Sequence, residues 1–409
     1  MNCLAKAKGF LTIENLCFAM MQAFYWAGFC ILFAYVTPYL LSLGYTNTQV
    51  GVIVSANSAA SVIGQPVFGY ICDKTRSMKK VMALSFLGGA LLSLGFLVIG
   101  ENYYALLVLT TVIAFVVQAV YPLIDSWTEI NSQTYPTTNY GVTRAIGSIG
   151  YAITSALAGV FFSDHGFTWI FPLFTGTMVL CLITCAGPHD TTASQQKEPV
   201  RLKDIGKLLG NYQYISFVVI ATIMYIAYRS CHSFLAVLME SVGGTTADLG
   251  YAWSILGISE VPFLLIAGLL LKKMKDSHLI LVSMFFFILR VFLPTLATTP
   301  TQLIWMTALQ GLSYGLFLPA SVHFIARVVP RELANTAQAF AVAMYAGIGI
   351  SASGIIGGIL ADAFGIVSIY QIATVVITIT TIAFAVVVSL ADKADKKAMR
   401  VPEETDKDQ

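Results

Sequence analysis

Twelve separate apolar stretches run through this chain, and no other feature constrains its fold as tightly. A membrane-spanning helix needs about 20 mostly apolar residues. In the first half the stretches cover approximately residues 15–42, 48–72, 81–99, 102–130, 141–163 and 168–187. In the second half they cover approximately residues 213–241, 247–271, 277–297, 301–326, 334–361 and 366–391. Charged residues make up 11% of the chain, against roughly 25% in a soluble domain. Most of the surface must therefore face something other than water. The first stretch is far longer than a signal-peptide core, and no small-residue cleavage site follows it, so it is expected to stay as a span.

The basic residues are sorted by side. Of the 23 Lys and Arg residues, Arg144, Arg229 and Arg290 lie within spans and the other 20 all fall on one face. They occupy the N-terminus, the loop after span 2 (Lys74, Arg76, Lys79, Lys80), the polar segment between the halves, the loops after spans 8 and 10, and the C-terminal tail. The loops on the opposite face contain none. Positively charged loops stay in the cytoplasm, so both termini are expected there, in a plasma (inner) membrane. The predicted organisation is an N-terminal six-helix bundle over 1–187, a linker over 188–212, a C-terminal six-helix bundle over 213–392 and a tail over 393–409. The net charge of +2 suggests no nucleic-acid partner. The seven cysteines have no metal-ligand spacing and sit mostly in apolar runs, where they read as small core residues.

The halves repeat. Thr46, Gly51 and Gly69 align with Thr245, Gly250 and Gly268 at a constant offset of 199 residues. A basic cluster then follows both span 2 and span 8. This parallel six-plus-six arrangement resembles the major facilitator architecture, an all-α polytopic fold with its substrate site at the midplane between halves. The segment from Gly69 through Asp73, Lys74, Lys79 and Lys80 resembles that superfamily's signature between spans 2 and 3, lengthened by a residue or two. In physical terms Gly69 permits close helix approach, Asp73 can meet a helix N-terminus or a basic partner, and the lysines hold the loop on the inner side.

A narrower resemblance follows from Gln65-Pro66-Val-Phe-Gly69 and from Tyr140-Gly141-Val-Thr-Arg144-Ala-Ile-Gly147-Ser-Ile-Gly150-Tyr151-Ala152. Both are similar to the lactose permease branch of oligosaccharide–proton symporters and its nucleoside and phenylpropionate relatives. The resemblance implies that Asp125, Arg144 and Tyr151 bind substrate. It matches the branch's span-9 arginine with Arg290. The branch's span-10 His and Glu fall on Gln310 and Ser313, so the lactose-type coupling carboxylate is missing. The branch's span-8 glutamate position holds Gly257, with Glu260 one turn further on, as in phenylpropionate-type relatives.

A charge at mid-bilayer must pair or face a watery cavity. Asp125 lies about ten residues before the turn between spans 4 and 5, and Arg144 about nine after it, so at about 1.5 Å per residue they share a depth and can pair. Glu129, one turn nearer the cytoplasm, can share Arg144 or serve structure alone. Counting from the next turns sets Arg229, Glu260 and Arg290 at one midplane level and predicts a three-residue cluster. There Glu260 is the candidate proton carrier, with Asp125 a second; the arginines can instead hold an anionic substrate. Tyr25, Trp26, Asn57 and Tyr345 lie at similar depth and can complete a site or simply pack. Trp127 reads as an interfacial anchor, His232 as a packed residue or part of a proton path, and His323 as weaker still. The glycines of spans 5 and 11 read as surfaces that pack and slide.

Together these features lead to the expectation of a proton-coupled symporter for a small polar solute, a saccharide or glycoside first. The alternatives are uptake of a nucleoside or aromatic carboxylate, drug-type export, or a sensor that binds without transporting. No phosphate loop or nucleophile motif points to an enzyme. The expected partners are the solute, protons and the lipid bilayer, with no cofactor or metal and a functional monomer.

Overall fold

The computed structural model describes residues 12–134, 139–190, 208 and 210–400. Among these residues twelve helices are long and apolar enough to cross a membrane, and there is no strand. They are α1 (Ile13–Ser42), α2 (Asn47–Thr75), α3 (Met78–Ile99), α4 (Tyr103–Gln133), α5 (Tyr140–His165) and α6 (Phe167–Cys185), then α7 (Tyr212–Ser233), α8 (Thr246–Leu270), α9 (Asp276–Leu296), α10 (Pro300–Val328), α11 (Thr336–Phe364) and α12 (Ile366–Lys393). Each matches one expected span. The last helix runs on to Arg400, into the stretch read as tail. Most of the expected linker (191–207 and 209), the tail beyond 400 and Cys3 lie outside the described residues. The other six cysteines are free, and all but Cys17 are buried.

Local chemistry sets the helix starts. A side-chain oxygen caps the first turn at Thr46, Ser77, Asn102, Asn139, Asn211 and Thr245. The 199-residue repeat is visible here. Thr46 and Thr245 both form reciprocal capping boxes, with Gln49 and Asp248. The turns before them both use a glycine at positive φ, Gly44 at 82° and Gly243 at 79°.

The first six helices meet the last six along two helix pairs, α2 with α11 and α5 with α8. The contacts concentrate toward the far face, opposite the termini. A Cβ on Gly51 would overlap the Gly354 carbonyl, and one on Gly358 would overlap the Asn47 carbonyl. In the second pair a Cβ on Gly159 would stand 2.9 Å from the Gly250 Cα. The Ser155 hydroxyl donates to the Gly250 carbonyl at 2.9 Å, and Tyr35 donates to the Ser155 carbonyl at 2.7 Å. Asp362, near the end of α11, closes the seam. Its carboxylate accepts the backbone N–H groups of Asn47 (3.1 Å) and Thr48 (2.7 Å) and the Asn47 side chain (2.9 Å). An anion is thereby placed on the positive end of the α2 dipole.

The opposite ends are different. Gly69 lies on the same stripe of α2 as Gly51, about five turns on, and Gly268 stands in the same relation to Gly250. A Cβ at either would touch nothing within 4 Å. The halves are therefore closed at the far face and apart at the terminus face.

Three expectations need correction. Gly69 makes no close helix contact in this conformation. Asp73 is exposed, and the carboxylate at the start of α3 belongs to Asp190, which accepts the Lys79 N–H at 3.1 Å and the Ser77 hydroxyl. Lys79 in turn caps the end of α6 through the Ala186 and Pro188 carbonyls. Trp127 is fully buried, edge-on to Phe18, and donates to the His189 carbonyl at 3.1 Å, so it is core and not an interfacial anchor. The glycine faces also divide. Gly159, Gly354 and Gly358 meet the other half, while Gly147 and Gly150 pack on α1 and Gly349 and Gly357 on α7.

Removing the far-face cap tests this arrangement. Asp362→Ala should weaken closure by about 1 kcal/mol, roughly a fivefold rise in the open population. Spin labels on the turns at positions 166 and 243 would report it as a larger long-distance fraction. Gly51→Val should enlarge that fraction further, because the added atoms have no room. Unchanged distances in both variants would show that these contacts do not hold the face shut.

Candidate substrate site

The N-terminal half builds its site from α1, α4 and α5. Arg144, in the second turn after the Asn139 cap, reaches across to Asp125 with 3.7 Å between Nε and Oδ1. The depth argument from sequence is borne out for this pair. Gln22 of α1 fixes the carboxylate, donating to Asp125 at 2.8 Å, and accepts from the Trp26 indole at 3.1 Å. The Arg144 guanidinium lies 4.7 Å from the Trp26 ring centre and donates to Ser148 at 3.2 Å. Trp26 stands edge-on to Tyr151, 6.5 Å between centres. Gln22 was not singled out in the sequence, although its place four residues before Trp26 puts both on one helix face. Glu129 is exposed and accepts from Gln133 at 3.1 Å, with no part in the Arg144 cluster.

The C-terminal half differs from the expected three-residue cluster. Among the described residues no ion pair within 4.0 Å joins Glu260 to Arg229 or Arg290. Glu260 instead accepts from the Gln310 amide, whose oxygen accepts from the Tyr228 hydroxyl at 3.2 Å. Gln310 immediately precedes a wide π-turn, Gly311–Gly315, of the kind common at functional sites. Arg290 lies 4.4 Å from the Tyr228 ring centre and reaches Ser313 at 3.5 Å. Glu260 is still within electrostatic reach of Arg290, Arg144 and Arg229. Arg229 is separate: its Nε is buried without a hydrogen-bond partner, as is Nδ1 of the neighbouring His232.

Between the halves lies a cavity of about 120 Å³. Phe29, Phe33 and Thr37 of α1 line it, with Asn57 and Ser58 of α2, Gln118 of α4, Tyr151 of α5, Arg229 and His232 of α7, and Trp253 of α8. Asn57, Tyr151 and Arg229, all candidates from sequence, share this cavity, and Trp26 connects Tyr151 to Arg144. Two other candidates fall elsewhere. Tyr25 is fully buried and donates to the Val117 carbonyl at 3.1 Å. Tyr345 packs in the core of the second half, 4.8 Å from Tyr225. Both are packing residues in this conformation. Gln118 and Trp253 were missed, since a single polar or aromatic residue inside an apolar span does not announce which way it points.

This arrangement has the anatomy of a carrier: paired bundles, a polar cavity at their interface, and closure on one face. The comparisons agree. The MFS_1 like family matches residues 17–398. The maltose permease of Geobacillus stearothermophilus is 26% identical over 365 residues, covering 86% of this chain and 88% of that protein. A probable 3-phenylpropionic acid transporter of Escherichia coli (strain K12) is 23% identical, over 75% of this chain and 80% of its own length. The solved structure of the nucleoside transporter NupG superposes with a TM-score of 0.81 at 17% identity, covering 91% of this chain and 98% of that one. The chain belongs to the MFS_1 like family of membrane transporters.

Proposed function

We propose that the chain is a proton-coupled symporter that takes up a small hydroxylated solute, of the saccharide or glycoside class, across a plasma membrane with both termini in the cytoplasm. The observation that carries this reading is the Gln22–Asp125–Arg144 network laid against Trp26 and Tyr151. It combines hydrogen-bond donors and acceptors with aromatic faces, the pairing that suits sugar hydroxyls and sugar ring faces. At 3.7 Å the Asp125–Arg144 pair is longer than a direct hydrogen bond, so each partner keeps hydrogen-bonding capacity for a solute hydroxyl beside it. Maltose and sucrose permeases among the relatives support the substrate class.

Coupling is assigned to Glu260, with Asp125 as a second protonatable carboxylate. Glu260 lies between the halves, held by an amide and not by a fixed ion pair. An amide partner tolerates both protonation states of a carboxyl group, because it can donate or accept. An arginine within 4 Å favours the ionised form, which makes Asp125, 3.7 Å from Arg144, the lesser of the two candidates. Alternating access then brings the surrounding guanidiniums nearer in one state than in the other. The reaction is translocation, with no covalent step, and a monomer contains every residue named.

The direct experiment is a solute panel on purified protein in liposomes, reading internal pH as each compound is added outside. Acidification with one solute supports symport; silence across the panel, with binding still detectable, favours a uniporter, an exporter or a sensor. Glu260→Gln should abolish accumulation driven by a proton gradient and leave solute exchange intact. Accumulation that survives this change would remove Glu260 from the coupling role. Arg144→Lys should weaken solute binding by roughly tenfold or more, because a point charge cannot copy the planar fork. Unchanged affinity in a binding assay would remove Arg144 from the site.

A further inference from the structure

The charged side chains around the site are not evenly paired. They are three arginines, Arg144, Arg229 and Arg290, and two carboxylates, Asp125 and Glu260, while Glu129, as close to its helix end as Arg144, is exposed and bonded to Gln133. Asp125 is committed to Arg144 and Gln22. Glu260 is committed to Gln310. Arg290 has the Tyr228 ring and Ser313. Arg229 has neither a carboxylate nor any hydrogen-bond acceptor among the described residues, and its Nε is sealed from solvent. A half-buried guanidinium with no fixed ion-pair partner inside a membrane is costly, and proteins retain one where a counter-charge arrives.

We propose that the counter-charge is part of the cargo: the solute carries one carboxylate, which docks on Arg229 beside His232. The cavity supports this independently of the charge count. Arg229 and His232 line it together, one turn apart on α7, and the unsatisfied Nδ1 of His232 adds a second unmet hydrogen-bonding atom. Both Arg229 and Arg290 lie within electrostatic reach of the His232 ring, with Glu260 the carboxylate in reach of the same two arginines. Opposite them stand Asn57, Tyr151 and Trp253, polar and aromatic groups for the rest of the solute. The site thus has an anion-binding end on α7 and a hydroxyl-binding end at Arg144 and Asp125, joined by the Trp26–Tyr151 contact. A sugar acid or an acidic glycoside meets both ends; a neutral sugar leaves Arg229 unpaired.

This inference rests on the reading of the interdomain cavity as the transport site, and its test separates the two. Thermal stabilisation of the purified chain would be measured with matched pairs that differ only in charge: glucuronate against glucuronamide, and 3-phenylpropionate against 3-phenylpropionamide. Sodium chloride titrated alone is the third arm. The expected result is a preference of about tenfold or more for the acid of at least one pair. Arg229→Gln should abolish that preference, bringing the acid and the amide of each pair to equal affinity. Arg229→Lys, which keeps the charge, should retain part of it and guards against a simple folding defect. Equal binding of acid and amide overturns the inference and leaves the transport site standing. So does a preference that survives Arg229→Gln. Stabilisation by chloride alone, with nothing added by the acids, assigns Arg229 to an inorganic anion and also overturns it. Silence from both members of both pairs removes the inference and counts against the transport site as well.

Discussion

Helices in hydrocarbon gain little by burying leucine against leucine, because lipid is just as apolar. What joins two bundles there is close backbone approach and the hydrogen bonds it permits. This protein meets that constraint at the far face. Small residues at Gly51, Gly159, Gly250, Gly354 and Gly358 let α2 meet α11 and α5 meet α8. Ser155 and Asp362 then bond across the seam. The contact is strong where it exists and confined to one end of each helix pair. A joint of that kind holds one face shut while the other opens, which is the mechanical requirement of alternating access.

The cavity depends on the same joint. Its walls come from both halves, with α1, α2, α4 and α5 on one side and α7 and α8 on the other. A rocking motion about the closed end changes the distances among Arg144, Glu260, Arg229 and the solute together, because they lie on opposite sides of the interface. The charges therefore act as one system. Moving a proton on or off Glu260 alters the field around the Arg144 pair, and a charged solute alters the field around Glu260. In the proposed cycle solute and proton act on each other through this field, with no wire between distant sites.

The fold was legible because membrane insertion enforces simple rules. Span lengths follow from bilayer thickness, and the internal repeat from Thr46 and Thr245, which cap equivalent helices in the structure. Depth counting also worked where two residues flank a single turn, as for Asp125 and Arg144. It failed where azimuth decides. Glu260, Arg229 and Arg290 have matching depths, yet their helices point them to different partners. A π-turn at Gly311–Gly315 further shifts the register of α10 beside Glu260. Tyr25 and Trp26 are adjacent in sequence, and one faces the core while the other faces the site, a difference of about 100° around the helix. Asp73 shows another limit. The signature motif located a carboxylate near the start of α3, but Asp190, from beyond α6, occupies the helix terminus. That Asp190 contact crosses from α6 to α3 within one half, and no local pattern encodes it.

The closed far face also bears on how a charged solute is released. Its loops carry acids and no lysine or arginine. Of these acids, Asp362 caps α2 and Asp248 caps its own helix, so both are engaged by N–H groups. The terminus face holds the basic residues. An anionic solute of the kind proposed would move toward positive potential on passing from Arg229 to the terminus face, past Arg144 and the lysines after α2. Under the proposed cargo, that distribution of fixed charge favours an anion's passage toward the terminus face, and at physiological ionic strength it acts over about 8 Å, with the far-face joint holding the other end shut.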